Sequence, residues 1–347
     1  MPPPASPPIV VVLCERSDQR PPHLESLAGR VELRYVDAAG LAAAVAGAQV
    51  LFLWDFFSTA VADVWSHCDR LEWIHVAAAG VDKLLFDGLR ASDVTVTNAR
   101  GVFDRPLAEF VLAAVLAHAK LLHESRDLQR DKVWRHRETR TVVGARALIV
   151  GTGAIGRETA RLLRAVGMQV RGAGRTARAD DVDFGAVVAS ADLAGHVGWC
   201  DYLVNVAPLT EQTRGLINAD VFAAMRPSAH LINVGRGPTV DEPALVKALA
   251  DNVIDGAALD VFEQEPLPAD SPLWSLPGAV VSAHMAGDVV GWRDALGRQF
   301  VANAERWLAG EPLENVVDTA LGYVPAGPSR QETAWPATSR SPSTSGA

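Results

Sequence analysis

The sequence predicts an α/β fold with two doubly wound, parallel-sheet domains. Short β-branched runs alternate with helical patterns in two series, which is typical of βαβ units. A long helical pattern over residues 104–133 separates the two series. The length of 347 residues also fits about two domains.

The first series covers residues 8–100, and its apolar runs are rich in Val, Ile and Leu. The predicted strands are 9–14, 31–36, 50–54, 71–76 and 94–98, with helices over 23–29, 41–47 and 61–68. Because strands that alternate with helices pair in parallel, we expect one parallel sheet here.

The second series falls within residues 101–290. Its predicted strands lie in 146–153, 168–174, 202–208, 230–237, 255–261 and 279–284. A last helix over about 291–308 begins a segment, 291–323, that need not belong to the second domain. Residues 324–347 have too few apolar side chains to pack, so we expect a disordered tail there.

Composition and charge exclude several classes of protein. Hydrophobic residues make up 49% and charged residues 21%, which excludes disorder over the whole chain. A net charge of −9 makes the chain a poor candidate for binding nucleic acid or anionic membranes. No apolar run reaches the roughly 20 residues of a membrane helix, and no secretory signal is apparent, so we expect a cytoplasmic protein.

The three cysteines, Cys14, Cys68 and Cys200, lie far apart and form no CxxC pair. The spacing predicts neither a metal centre nor a disulfide framework. We expect free thiols in a reducing compartment.

A glycine-rich turn gives the first functional signal. Residues 151–156 read GTGAIG, directly after the apolar strand Ala147–Val150 and at the start of a helix over Arg157–Val166. In this context the three glycines allow a tight turn, close approach to a pyrophosphate and close packing of helix on strand. The alternative is a glycine-rich turn without a ligand.

The second strand of this unit favours NADP(H) over NAD(H). An NAD site usually has an acidic residue at the end of that strand, to accept the ribose hydroxyls. Here the strand ends in Gly174-Arg175-Thr176, while Asp180 and Asp181 are expected in the following loop. An Arg and a Thr suit a 2′-phosphate. The alternative is that Arg175 is simply solvated in an Arg-rich chain, and NAD(H) stays possible.

These and other segments resemble the D-isomer-specific 2-hydroxyacid dehydrogenase family over about residues 75–315. The matching segments are GVDKL, TNARG, LAEFVL, GTGAIG, VAPLTEQTRGLIN, INVGRG, ALDVFEQEPLP and SAHMAG, in the order of the family. The resemblance implies that a Rossmann-like cofactor domain (101–290) is inserted into a Rossmann-like catalytic domain (8–100 with 291–323). It also implies a homodimer and a small 2-oxo or 2-hydroxy acid as substrate.

The family's catalytic residues correspond to Arg236, Glu265 and His284, each just after a predicted strand. Ligands bind at that edge of an open α/β sheet. Histidine titrates near neutral pH and suits a proton donor to a carbonyl oxygen, and a neighbouring carboxylate orients its ring. The arginine suits the substrate's carboxylate and carbonyl oxygens.

Further site residues follow from the glycine turn, the second strand and the family's segments. The expected cofactor contacts are Gly151, Gly153, Ala154, Ile155, Gly156, Gly174, Arg175, Thr176, Pro208, Thr213, Asn233, Val234 and Asp260. The alternative for Asp260 is a capping role. The expected substrate contacts are Ala79, Gly80 and Val81, with Trp54 as an apolar wall beside the substrate's side chain or, alternatively, an ordinary core residue.

We therefore expect NAD(P)H-dependent, reversible reduction of a 2-oxo acid to the D-2-hydroxy acid. The alternative is a dinucleotide-sensing scaffold, similar to the family's corepressor branch, with vestigial activity. Glu265 argues against formate, because formate dehydrogenases of the family carry Gln there, whereas phosphite stays open. Glyoxylate, hydroxypyruvate and bulkier 2-oxo acids are all left open as substrates.

Overall fold

The computed structural model describes residues 7–325. Two separate parallel sheets, each covered by helices, form its framework. Of the expected disordered tail, residues 326–347 lie outside the described residues. Val324, at its start, packs against the core of the first domain.

The first sheet has five parallel strands in the order β2-β1-β3-β4-β5. The strands are β1 Ile9–Leu13, β2 Glu32–Val36, β3 Val50–Leu53, β4 Trp73–Val76 and β5 Thr95–Asn98. The helices are α1 Leu41–Val45, α2 Ala60–Asp63 and α3 Asp87–Arg90, with 3-10 turns at Leu24–Leu27 and Trp65–His67. All three apolar central strands are buried, as expected for a sheet with both faces covered.

The predicted long helix over residues 104–133 is two helices, α4 Asp104–Ala119 and α5 Leu122–Arg130. Leu121 takes a left-handed backbone conformation (φ 52°) between them, and the two axes differ by 61°. Val111 and Val115 of α4 are buried on the second sheet, whereas α5 has no buried residue. The apolar pattern that anchors α4 therefore stops where the chain turns.

The second sheet has eight strands in the order β13-β12-β11-β10-β6-β7-β9-β8. The strands are β6 Arg146–Val150, β7 Gln169–Gly174, β8 Arg178–Asp181, β9 Gly185–Ala189, β10 Tyr202–Asn205, β11 His230–Asn233, β12 Gly256–Leu259 and β13 Ala279–Val281. The helices are α6 Ala154–Ala165, α7 Ala194–Val197, α8 Ala219–Ala224 and α9 Glu242–Ala250, with 3-10 turns at Ser190–Asp192, Gly237–Thr239 and Pro272–Trp274. Every pairing is parallel except the β8–β9 hairpin, which the sequence analysis did not anticipate.

The last helix, α10 Trp292–Ala309, returns to the first sheet. Phe300 stacks on Phe52 at 4.0 Å between ring centroids, and on Trp73 at 5.4 Å. The chain thus leaves the first sheet after β5, builds the second sheet and comes back. This path confirms the predicted α/β class with two doubly wound parallel sheets, the second inserted into the first.

Candidate active site

A cleft of about 620 Å³ lies between the two sheets. Its walls are the segments that follow strand ends: Ala79 and Gly80 after β4, Arg236 after β11, and His284 after β13. Because parallel strands end at one edge of a sheet, residues far apart in sequence meet here. The cleft brings the three predicted catalytic residues together.

His284 and Glu265 form a hydrogen-bonded pair. The Nδ1 atom of His284 lies 2.7 Å from Oε2 of Glu265. The other carboxylate oxygen, Oε1, accepts a hydrogen bond from the backbone N–H of Phe262 at 3.0 Å. With Nδ1 occupied, Nε2 is the ring nitrogen available to a molecule in the cleft.

Two opposing influences set the pKa of Glu265. Burial raises the pKa of its carboxyl group, but the hydrogen bonds from His284 and Phe262 and the charges of His284 and Arg236 lower it. The net pKa lies below the ordinary value. Glu265 is therefore an anion at neutral pH and stabilises positive charge on the His284 ring.

Asp260 holds the backbone that carries His284. One of its carboxylate oxygens accepts hydrogen bonds from Ser282 Oγ and the N–H of Met285, and the other from the N–H of Ala286. The N–H of His284 donates to the Asp260 carbonyl oxygen at 2.8 Å, and His284 itself has a left-handed φ of 50°. The capping alternative thus describes Asp260, although it also lines the cleft, and its predicted contact with the cofactor stays a prediction.

Arg236 lies against the loop that follows β4. Its Nε donates to Oδ1 of Asp82 at 2.9 Å, and its Nη1 donates to the carbonyl oxygen of Gly235 at 2.9 Å. A Cβ atom on Gly80 would lie only 1.9 Å from Nη2 of Arg236, so any larger residue there would force the guanidinium to move. The predicted substrate loop, with Ala79, Gly80 and Val81, therefore lies beside the predicted anchor, and both line the cleft.

Asp82 is a site residue that the sequence analysis missed. It stands in the GVDKL segment, but its ion pair with Arg236 joins positions 154 residues apart and bridges the two domains. A carboxylate two residues after Gly80 of the predicted substrate loop was the only signal in the sequence.

A buried amide network supports the Arg236 loop from below. Oδ1 of Asn233 accepts hydrogen bonds from Nδ2 of Asn205 at 2.8 Å and from the N–H of Gly235 at 3.2 Å. Thr239 Oγ1 donates to the Arg236 carbonyl oxygen. Asn233, a predicted cofactor contact, is 1% exposed and acts here as a support for the loop.

The glycine-rich turn has the shape that a dinucleotide requires. Gly151 has a positive φ of 105°, and a Cβ there would lie 2.9 Å from the N atom of Ala207. A Cβ on Gly156 would lie 1.9 Å from the Gly151 carbonyl oxygen, whereas a Cβ on Gly153 would meet nothing within 4 Å. The first and third glycines thus close the turn, and the second faces open space at the start of α6, together with Ala154 and Ile155. This arrangement fits a pyrophosphate at the helix N-terminus.

Arg175 and Thr176, which the sequence analysis linked to a preference for NADP(H), follow directly after β7. Asp180 and Asp181 lie in β8 instead of in the expected loop, and Asp181 is held by Arg157 and Arg178 at 3.0 and 2.7 Å. Within residues 7–325, Arg175 has no carboxylate partner. Arg175 and Thr176 are exposed beyond Gly174, and Gly174 itself lies close to Thr152 of the glycine turn.

The short loop after β10 contains Pro208 and Thr213, two of the predicted cofactor contacts. Oγ1 of Thr213 donates to the carbonyl oxygen of Pro208 at 2.7 Å and accepts a hydrogen bond from the N–H of Thr210 at 2.8 Å. Thr213 therefore shapes the loop, while Leu209 and Val234 face the cleft.

Phe56 and Phe57 are among the apolar side chains that line the cleft. Phe57 is 48% exposed, and its ring meets the His284 ring edge-on at 5.7 Å. Trp54, the predicted wall residue, is placed differently: it packs with Phe52 at 5.7 Å in the cluster under α10, and it is not among the residues that line the cleft. Trp292, the first residue of α10, packs against Phe56 with 6.3 Å between the ring centroids.

Comparison with known proteins identifies the family. Residues 112–286 match the family model described as D-isomer specific 2-hydroxyacid dehydrogenase, NAD binding domain. The glyoxylate/hydroxypyruvate reductase A of Arabidopsis thaliana is 33% identical over 255 residues, 73% of this chain and 80% of that protein. This chain belongs to the D-isomer specific 2-hydroxyacid dehydrogenase family. The predicted resemblance is confirmed.

Solved structures of 2-hydroxyacid dehydrogenases share the whole fold. An NADPH-dependent glyoxylate/hydroxypyruvate reductase from Sinorhizobium meliloti, solved with NADP and sulfate, is 28% identical with a TM-score of 0.78, covering 92% of this chain and 100% of that one. A family member from Xanthobacter autotrophicus, solved with NADPH, is 32% identical with a TM-score of 0.77 over 92% and 100% of the two chains. Family membership makes this chain an oxidoreductase of 2-hydroxy acids with a dinucleotide-binding domain.

Two further findings concern residues 7–325 of this 2-hydroxyacid dehydrogenase. In the part that the structure describes, no cluster of three or more His, Cys, Asp or Glu side chains is placed to hold a metal ion. No single helix in that part is long and apolar enough to cross a membrane. Together, α4 and α5 have the length and composition of such a helix, but their axes differ by 61°.

Proposed function

We propose that this protein reduces a 2-oxo acid to the D-2-hydroxy acid, reversibly, and prefers NADPH to NADH. The proposal rests on one observation: the same cleft is lined by the hydrogen-bonded pair of His284 and Glu265 and by Arg236, which lies against Gly80. When bound, the nicotinamide supplies the hydride.

His284 is the proposed proton donor. Reduction of a carbonyl group places negative charge on its oxygen, and that oxygen needs a proton. Nε2 of the protonated ring is directed to the cleft, because Nδ1 is held by Glu265. The anionic Glu265 stabilises the charged ring before transfer and keeps its orientation after transfer. In the reverse direction the neutral ring accepts the proton from the hydroxyl group.

Arg236 is the proposed substrate anchor. Its guanidinium is always charged and has N–H groups beyond those bonded to Asp82 and Gly235. A carboxylate between Arg236 and the backbone N–H groups of the Ala79–Val81 loop would be bound from two sides. This position directs the adjacent carbonyl group of the substrate to His284.

The preference for NADPH rests on the end of β7. Arg175 and Thr176 stand where an acidic residue would accept ribose hydroxyls, and Arg175 has no carboxylate partner among residues 7–325. The NADP and NADPH complexes of the two solved relatives support the same assignment.

The substrate's side chain is proposed to pack against Phe57. Its exposed ring lies 5.7 Å from the His284 ring between centroids, close to the proposed position of the substrate's carbonyl group. Each methylene group buried there contributes about 0.8 kcal/mol, or roughly fourfold in kcat/KM. We therefore expect 2-oxo acids with apolar side chains, phenylpyruvate included, to be reduced more efficiently than glyoxylate.

A matched pair of variants tests this wall. Phe57→Ala should lower kcat/KM for phenylpyruvate about tenfold and spare glyoxylate, whereas Trp54→Ala should change both substrates equally because Trp54 lies in the core cluster. Equal losses for the two substrates in Phe57→Ala would contradict the role of Phe57.

The reaction itself is tested by following NADPH oxidation with about a dozen 2-oxo acids and both cofactors. Turnover with NADPH, and a higher kcat/KM with NADPH than with NADH, would support the proposal. Tight binding of the dinucleotide with no turnover of any 2-oxo acid would favour the sensing scaffold instead.

A homodimer in the cytoplasm completes the proposal. Four apolar side chains between α4 and β6 are exposed: Leu122, Val133, Trp134 and Val143. Large apolar side chains exposed in one segment of a chain are typical of a surface that a second subunit covers. Cys14, Cys68 and Cys200 are all free, which suits a reducing compartment. Light scattering of the parent and of Trp134→Ala would test the dimer.

A further inference from the structure

The last described segment of the chain crosses from the catalytic domain to the cofactor domain. It is anchored on the first sheet, where the N–H of Val317 donates to the carbonyl oxygen of Val96 at 2.8 Å. Arg90 and Arg100 add hydrogen bonds to the carbonyl oxygens of Thr319 and Pro325.

Between these anchors the segment forms a closed loop from Asp318 to Tyr323. The N–H of Asp318 donates to the Tyr323 carbonyl oxygen at 3.1 Å, and the N–H of Gly322 donates to the Asp318 carbonyl oxygen at 2.8 Å. Oδ1 of Asp318 accepts two more hydrogen bonds from the backbone N–H groups of Ala320 and Leu321. The position of Tyr323 is therefore fixed by the backbone of the loop.

The tip of this loop contacts both domains. A Cβ atom on Gly322 would lie 3.5 Å from Leu85 of the catalytic domain and 3.9 Å from Thr210 of the cofactor domain. The Tyr323 ring lies against the guanidinium of Arg175, with 5.2 Å between the ring centroid and Cζ. A residue of the catalytic domain thus touches the arginine proposed to select NADPH.

An aromatic ring is a suitable partner for an arginine that must bind phosphate. The face of the ring attracts the cation but takes none of its N–H donors and leaves its charge in place. A carboxylate partner would neutralise that charge, as Asp181 does for Arg157 and Arg178. Holding the guanidinium in one place beforehand also lowers the entropy lost when an anion binds.

We propose that Tyr323 is a specificity-determining positioning residue, which holds Arg175 ready for the 2′-phosphate of NADPH. The proposal rests on the NADPH preference proposed above and adds a residue from the other domain to it. Because NADH lacks the 2′-phosphate, the contribution of Tyr323 is confined to NADPH.

The experiment measures the Kd of NADPH and of NADH by cofactor fluorescence, without substrate. Tyr323→Ala should raise the Kd of NADPH about fivefold, the size expected for a partly exposed cation–π pair, and leave the Kd of NADH within twofold. Tyr323→Phe should retain the parent's values, because the ring and not the hydroxyl group makes the contact. Tyr35→Ala is the matched control: it removes a similar pair with Arg20, at 4.5 Å, and should leave both Kd values unchanged.

A double variant shows whether Tyr323 acts through Arg175. In an Arg175→Ala background, Tyr323→Ala should have no further effect on the Kd of NADPH. Equal losses for NADPH and NADH in Tyr323→Ala, or an unchanged Kd of NADPH in a folded Tyr323→Ala, would overturn the proposal. A parent enzyme that binds NADH as tightly as NADPH would instead overturn the proposed cofactor preference, so the two failures are distinguishable.

Discussion

Gly80→Ala is a perturbation that should disable the active site without removing a single charged or polar side chain. The added Cβ would lie 1.9 Å from Nη2 and 2.7 Å from Cζ of Arg236. An ordinary contact between such atoms is about 3.4 Å or longer, so the guanidinium has to move by roughly 1.5 Å. The hydrogen bond to Asp82 at 2.9 Å is then lost or remade elsewhere.

The size of the effect follows from the displacement. A misplacement of about 1 Å in a substrate-positioning group can lower the rate about 100-fold, or roughly 2.7 kcal/mol in transition-state free energy. We expect kcat/KM for 2-oxo acid reduction to fall at least 100-fold in Gly80→Ala, with the Kd of NADPH within twofold of the parent.

The assay is steady-state NADPH oxidation, accompanied by a control and a double variant. Gly40→Ala is the control, because its Cβ would make only ordinary contacts, the nearest at 3.5 Å. If Gly80→Ala acts through Arg236, it should have little further effect in an Arg236→Ala background. A Gly80→Ala enzyme within threefold of the parent, or one with the same large loss in both backgrounds, would refute the reasoning.

Three further predictions concern ionisable groups. Glu265→Gln should lower kcat about tenfold or more, because His284 loses the carboxylate that orients its ring; an unchanged kcat would contradict the pairing. Asp181→Asn should lower the free energy of unfolding by about 2 kcal/mol in urea titrations, less than for a fully buried pair because Arg157 is 28% exposed. Burial raises the pKa of the Asp181 carboxyl group, but the hydrogen bonds from Arg157 and Arg178 lower it more, so the net pKa lies below the ordinary value. The difference in unfolding free energy between the parent and Asp181→Asn should therefore become smaller only in strong acid, where the carboxylate is protonated. Burial lowers the pKa of His75 to about 3, so its neutral form stabilises the fold above the unfolded pKa of about 6.5, and this stability is lost as the pH falls towards 3. His75→Gln should therefore flatten the dependence of unfolding free energy on pH by about 1.4 kcal/mol per pH unit between pH 6 and 4, and an unaltered slope would contradict it.

The family resemblance pointed to Arg236, Glu265 and His284 as candidate catalytic residues, and the strand pattern was sufficient to predict that they meet in one cleft. Arg236 and His284 each follow an apolar strand within three residues, and parallel strands bring such positions to one edge whatever the loops do. The glycine turn was predictable for the same reason: its spacing is tied to a strand before it and a helix after it.

Contacts between the domains were not predictable in this way. The pair of Asp82 with Arg236 and the pair of Tyr323 with Arg175 depend on how two separately folded sheets face each other. No periodicity in the sequence records that arrangement.

The alternation of apolar residues along a strand also did not predict where the side chains after the strand end would point. Along β3, Phe52 faces α10 and Leu53 faces the opposite side, as the alternation of a strand requires. The alternation ends with the strand, so the pattern gave no means to distinguish Trp54, which returns to the side of Phe52, from Phe57, which faces the cleft.

The most direct test of the account is the turnover of His284→Gln beside that of the parent, with a 2-oxo acid and saturating NADPH, together with the Kd of NADPH for both proteins. The account predicts that kcat falls at least 100-fold while the Kd of NADPH stays within twofold, because His284 donates the proton and is not expected to bind the dinucleotide's phosphates. A His284→Gln enzyme that retains near-parental kcat across the pH range would contradict the assignment of His284 as proton donor.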